Sequence, residues 1–149
     1  MIGIAEEDRD YLKFIWFKGD NDFQILRMTR VPFGVTCSPF ILASTIKHHA
    51  KKYKGEKPDS FEMLNSSLYV DDMYYGANNV KDAYRLSTDA VQIFKEGGMN
   101  MRKLKTNSAE LNKLWVKDGL KENDDLNSES KFLGMTWDSS EDKIKINIK

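Results

Sequence analysis

The stretch that most constrains this chain is Ser67-Leu68-Tyr69-Val70-Asp71-Asp72-Met73-Tyr74-Tyr75. Two adjacent carboxylates sit between short apolar, aromatic-rich runs, with no Gly, Pro or Asn at the join. Leu, Tyr, Val and Met suit a pleated, half-buried surface, so both flanks read as strands. An ordinary hairpin turns through Asn-Gly or Asp-Gly. This one places Asp-Asp at the turn, two like charges that repel unless a cation lies beside them. Hard divalent ions such as Mg2+ take oxygen ligands and are held by one or two carboxylates plus substrate phosphates. Asp71 and Asp72 are therefore candidate metal ligands for phosphoryl-transfer chemistry. Taken alone, such a pair is more often a solvated acidic turn, so the rest of the chain has to decide.

A chain of 149 residues fits one domain, and at roughly this size about 68–70 % of the unfolded surface is buried on folding. With 40 % hydrophobic and 31 % charged residues the composition is globular rather than disordered. The 23 basic and 23 acidic residues cancel, whereas a stand-alone nucleic-acid binder carries a basic excess. Any contact with nucleic acid must then come from local patches. A single cysteine, Cys37, excludes an internal disulfide and suits a reducing compartment, which predicts a cytoplasmic location. No apolar run approaches the roughly 18 residues of a membrane span, and residues 1–8 lack the basic start and apolar core of a signal peptide.

Along the chain, 11–17 and 23–28 are aromatic and β-prone around the turn cluster 18–22, which predicts a hairpin. Residues 6–10 read as a solvated loop. Ser38 as cap and Pro39 at the first helical position predict a helix, with Leu42, Ile46, Ala50 and Tyr53 on one face and Phe40 and Ala43 adjoining it. Residues 54–60, holding Pro58, read as a loop. Asn79 with Asp82 three positions on reads as a helix start, Ala83, Leu86, Ala90, Ile93 and Phe94 form an apolar stripe, and Gly97-Gly98 ends it. Residues 100–104 read as a short strand and 108–115 as a short helix with Leu111, Leu114 and Trp115 inward. Residues 117–130 are a polar loop. Phe132 to Trp137, a turn at 138–142 and the alternating Ile144, Ile146 and Ile148 predict a closing hairpin. The order strand-strand-helix-strand-strand-helix-strand indicates an α+β fold, an antiparallel sheet with helices on one face.

Four motifs in order carry a family resemblance. Tyr69-Val70-Asp71-Asp72 resembles the Tyr-x-Asp-Asp signature of reverse transcriptases. Arg30-Val31-Pro32-Phe33-Gly34-Val35-Thr36-Cys37-Ser38-Pro39-Phe40 is similar to the family's Leu-Pro-Phe-Gly…Pro block, and Gly97 to Lys103 to the segment bearing its lysine. Lys131-Phe132-Leu133-Gly134-Met135-Thr136-Trp137-Asp138 resembles the primer-grip Phe-Leu-Gly element. The wording of 102–108 and 133–138 looks most like the Bel-Pao group of long-terminal-repeat retrotransposons.

The resemblance implies a polymerase palm, a ferredoxin-like sheet with the acidic turn at its edge, and a C-terminal primer-grip-like hairpin over 131–149. It implies nucleotide addition to a primer 3′ hydroxyl on an RNA template, with deoxynucleoside triphosphate, a DNA primer and Mg2+, or Mn2+ in its place. Two ions about 3.5–4 Å apart stabilise the attacking and leaving oxygens in such sites. Asp71 matches the aspartate that ligates metal directly and Asp72 the weaker, supportive one. Tyr69, Pro32, Phe33 and Gly34 match nucleotide and template positions, Phe33 near the incoming sugar. Lys103 matches the lysine that protonates the leaving pyrophosphate, although Arg102 and Lys105 stand close enough to compete and a solvated basic face is the alternative. Phe132, Leu133, Gly134 and Met135 match the primer grip, with strand packing an equal explanation for the apolar members.

The sequence also departs from the family. The third carboxylate would fall a few residues before Met1, on the wrong side of Glu6, Glu7, Asp8 and Asp10 to be replaced by them. The expectation is thus a partial reverse transcriptase domain over 1–149, without fingers or first aspartate motif, belonging to a retrotransposon polyprotein and inactive alone. The alternatives are a non-catalytic remnant that binds nucleic acid or protein, and an unrelated α+β module. His48 and His49 point about 100° apart on a helix and cannot chelate one ion together. The run 47–54 reads as a solvated basic helix face, and 138–142 lacks the glycine and spaced glutamate of a calcium loop.

Overall fold

The computed structural model describes residues 2–20, 22–122, 130–132 and 134–146. Within the expected elements, Leu133, Ile148 and the 123–129 part of the polar loop lie outside the described residues. The fold is α+β, with helices and small antiparallel sheets, and its C-terminal hairpin is present. Among the described residues the strands pair as three separate sets rather than as one continuous sheet. The chain divides into two compact units, Met1–Tyr74 with Gly97–Met99, and Tyr75–Glu96 with Asn100–Lys149.

In the first unit, residues 6–10 are not a loop: Glu6–Leu12 form a 3-10 helix with no buried residue. Asp10 ties its end down, pairing with Lys13 at 3.4 Å and Arg27 at 3.2 Å. Strands β1 (Lys13–Phe17) and β2 (Phe23–Arg27) follow in register, Ile15 opposite Ile25 and Phe17 opposite Phe23. Those four side chains share one face by strand alternation, and that face is exposed.

Helix α1 spans Ser38–Ala50. Its N-cap is Cys37, not Ser38, and makes no side-chain cap bond. Ser38 lies one position inside and turns its hydroxyl back to the Pro32 carbonyl at 2.8 Å. The expected stripe holds where Ile46 and Ala50 are buried, but Phe40 is 73 % exposed. Helix α2, Pro58–Ser66, occupies sequence read as loop at its start. Pro58 opens the helix, where a missing N–H costs nothing, and Ser60, Met63 and Leu64 fall at i, i+3, i+4 and are buried. Contacts between α1 and α2 build this unit's helical core. Strands β3 (Leu68–Tyr69) and β4 (Asp72–Met73) complete the unit's regular structure.

In the second unit, helix α3 (Val80–Glu96) starts as expected. The Asn79 side chain accepts from the Asp82 N–H at 2.8 Å and donates to the Asp82 carboxylate at 2.7 Å, a reciprocal cap. Leu86, Ala90 and Ile93 are buried, and Gly98 takes φ +68 just past the helix end. Helix α4 (Ala109–Lys117) is capped by Ser108, whose hydroxyl accepts from the Leu111 N–H at 3.2 Å. Leu111 and Trp115 pack inward against α3, and the Trp115 indole donates to Ser87 at 2.8 Å. Residues 100–104 form no strand, because Lys103 adopts φ +59 and breaks the extended run.

The predicted strand 132–137 is two strands. Strand β5 (Ser130–Phe132) reverses into β6 (Met135–Asp138) with Phe132 opposite Met135 and Gly134 at φ +82. Strand β7 (Lys143–Lys145) adds the third member. The 138–142 turn folds onto the Asp138 carboxylate, held down to about 2 chiefly by the Ser140 hydroxyl and then by the Glu141 N–H. No helix among the described residues is long and apolar enough to cross a membrane.

Leu64 has no exposed surface, so Leu64→Ala should lose about 2–5 kcal/mol in urea unfolding. Phe40→Ala, in the exposed half of α1, should stay within about 0.5 kcal/mol. Equal losses at both positions would contradict the assignment of the core.

Candidate functional site

The acidic hairpin belongs to the first unit. Leu68 pairs with Met73 and Tyr69 with Asp72, and the Tyr74 N–H bonds to the Ser67 carbonyl at 3.1 Å. That register leaves only Val70 and Asp71 to make the reversal. The tip is therefore one residue earlier than Asp71-Asp72: Asp71 is in the turn, while Asp72 is the first residue of β4. The shift follows from pairing, since Tyr69 and Asp72 take each other as partners and two residues suffice to close an antiparallel pair.

A tight hairpin turn needs positive φ at one or both central residues, because only that backbone twist matches the strands. Val70 supplies it, at φ +56. Glycine fills such a place without cost, whereas for a β-branched residue it is a real outlier. The cost is of order 1–3 kcal/mol. What the tight turn secures is placement: Asp71 projects from a two-residue reversal between β3 and β4, which pair with each other in one short ladder.

Both carboxylates are exposed. Asp72 accepts a hydrogen bond through Oδ2 from the Tyr74 hydroxyl at 2.9 Å. Burial first, then this bond and the nearby charges of Asp72 and Asp71, push the Tyr74 phenol up to about 12. At neutral pH Tyr74 keeps its proton and stays a donor. Neither Val70 nor Tyr74 stands out by residue type. The signals were positional, a join with no turn former and a tyrosine at i+2 from Asp72, just past the end of β4. As hard oxygen donors, Asp71 and Asp72 fit a divalent ion that fills its shell with water and phosphate oxygens. Among the described residues, no group of three or more His, Cys, Asp or Glu side chains is placed to hold one ion.

The Pro32-Phe33-Gly34 corner also lies in the first unit. Gly34 takes φ +87, which glycine alone adopts freely, and the Ser38 hydroxyl on the Pro32 carbonyl pins the corner to α1. Phe33 is turned wholly into solvent, and Tyr69 is 56 % exposed. Pro32 lines an apolar groove of about 360 Å³ with Ile4, Tyr11, Val35 and Ile41.

The remaining candidates are in the second unit. Lys103 is exposed, and its φ of +59 sets it apart from Arg102 and Lys105, which lack that backbone. Met135 is half-buried on β6, Gly134 forms the β5–β6 reversal, and Phe132 ends β5. Leu133 falls outside the described residues.

A family model described as reverse transcriptase (RNA-dependent DNA polymerase) matches residues 2–137. The match takes in the Pro-Phe-Gly corner, the acidic hairpin, Lys103 and the β5–β6 reversal. No curated protein and no solved structure gives a match.

If the tip is strained at Val70, Val70→Gly should raise stability in urea by about 1 kcal/mol, the relieved strain less the chain entropy glycine adds. A loss of stability would show that the Val70 side chain, rather than its backbone, holds the turn.

Proposed function

The chain belongs to the reverse transcriptase family, and on that premise we propose that it is the palm portion of an RNA-directed DNA polymerase in which Asp71 and Asp72 are the metal-holding carboxylates. The observation that carries this reading is the two-residue reversal that places Asp71 at a strained tip beside Asp72. Rigid presentation of this kind is what a catalytic constellation requires. Family membership implies an RNA template and a primer as partners. Deoxynucleoside triphosphate as the incoming substrate, a Bel-Pao-type retrotransposon polyprotein as the context and the cytoplasm as the location are the finer parts of the proposal. The wording of 102–108 and 133–138 supports the Bel-Pao assignment.

Bound Mg2+, or Mn2+ in its place, supplies charge stabilisation for in-line displacement at the α-phosphate. The chain's own residues do the rest. Asp71 offers its oxygens from the tip, and Asp72 offers the oxygen that Tyr74 leaves free. Phe33, held out by the Gly34 turn, offers an apolar face to the incoming sugar. Lys103 gives a proton to the leaving pyrophosphate, work that typically contributes 10²–10⁴-fold. Gly134 and Met135, with Phe132 and Leu133, steady the primer end.

In the intact parent polymerase, Asp71→Asn should reduce Mg2+-dependent primer extension on an RNA template to background, and Asp72→Asn should leave more activity than that. Undiminished extension by Asp71→Asn would remove the catalytic assignment.

A further inference from the structure

An aspartate carboxylate offers about four lone-pair directions on two oxygens, and an exposed one is free to swing about its side-chain torsions. Asp72 is restrained. Tyr74 lies two residues along the same strand direction, on the same face, and its hydroxyl donates to Asp72 Oδ2 at 2.9 Å. Tyr74 is itself fixed to the hairpin by its N–H bond to the Ser67 carbonyl at 3.1 Å. The Asp72 backbone is held opposite Tyr69. Both ends of the contact are thus anchored in one ladder, and the bond commits Oδ2 while leaving Oδ1 uncommitted.

We propose that Tyr74 is a positioning residue that fixes the Asp72 carboxylate so that Oδ1 alone faces a divalent cation at the hairpin tip. The proposal rests on the metal-holding role assigned to this hairpin above. A phenol donor on the ligand's second oxygen orients a carboxylate much as carboxylates orient metal-bound histidines, and loss of such partners commonly costs 10–100-fold in metal affinity. Asp71, in the turn itself, takes its placement from the Val70 backbone instead. The two carboxylates are therefore oriented by different devices, one by backbone strain and one by a hydrogen bond.

The test uses the 149-residue chain labelled for NMR, with Tyr74→Phe, Asp72→Asn and the double variant beside it. Without metal, three-bond couplings to Cγ report whether each aspartate holds one rotamer. With Mn2+, paramagnetic broadening at the hairpin reports affinity. Tyr74→Phe should average the Asp72 couplings, leave those of Asp71 and the hairpin amide shifts in place, and weaken Mn2+ binding roughly 10-fold. In the Asp72→Asn background the same change should alter binding by less than about twofold, since no metal-holding carboxylate is left for the phenol to orient. Unchanged Asp72 couplings, unchanged Mn2+ affinity, or an equal loss in the Asp72→Asn background would overturn the proposal. So would collapse of the hairpin shifts in Tyr74→Phe, which would make the phenol structural. If the unaltered chain shows no Mn2+ broadening at Asp71 or Asp72, the metal-holding role itself falls, and the proposal with it.

Discussion

The pairing of Tyr69 with Asp72 is the constraint on which the candidate site turns. Once those residues are partners, two residues must reverse the chain, and neither is glycine. Val70 then takes a left-handed backbone that valine avoids. A loop one or two residues longer would remove that cost and leave Asp71 on a flexible tip. The fold accepts strain of order 1–3 kcal/mol, a large share of the stability of a small unit, and in return the acidic side chain has a defined place. Strain concentrated at a functional turn is a familiar trade in proteins. Here it sits beside a carboxylate whose partner, Asp72, is held separately by a phenol.

The supporting structure is ordinary by comparison. Helices α1 and α2 bury Ile46, Ala50, Met63 and Leu64 in the unit that bears the hairpin. Helices α3 and α4 bury Leu86, Ala90, Ile93, Leu111 and Trp115 in the other. The buried side-chain nitrogen and oxygen atoms of the described residues have partners.

Elements with strong local signals were legible in the sequence. The Asn79–Asp82 cap and the stripe through Leu86, Ala90 and Ile93 give α3 almost residue by residue, because cap chemistry and a 3.6-residue period agree there. Helix α2 was hidden because Pro58 reads as a loop former as readily as a helix opener, and only Ser60, Met63 and Leu64 mark its short inner face. The break at Gly134 was hidden for a similar reason: one glycine inside an apolar run does not announce a reversal. Ser38 does not cap because the helix starts one residue earlier than its type suggests, with Cys37 at the cap position and the Ser38 hydroxyl donating back to the Pro32 carbonyl. At the site, the acidic pair was visible from residue type, but the one-residue offset of the tip and the Tyr74 contact depend on register, which composition does not encode. The division of the candidates between two units, Asp71 and Asp72 in the first and Lys103 and Met135 in the second, was likewise beyond local pattern.

The central claim, that this strained reversal presents two carboxylates to a divalent cation, can be read out directly with Fe2+ in place of Mg2+. In the presence of ascorbate and peroxide, bound Fe2+ cuts the backbone where it sits. Cleavage confined to the segment from Tyr69 to Met73, suppressed by excess Mg2+ and lost in Asp71→Asn, is the predicted result. Cuts scattered along the chain, or centred on the acidic turn between Asp138 and Asp142, would contradict it.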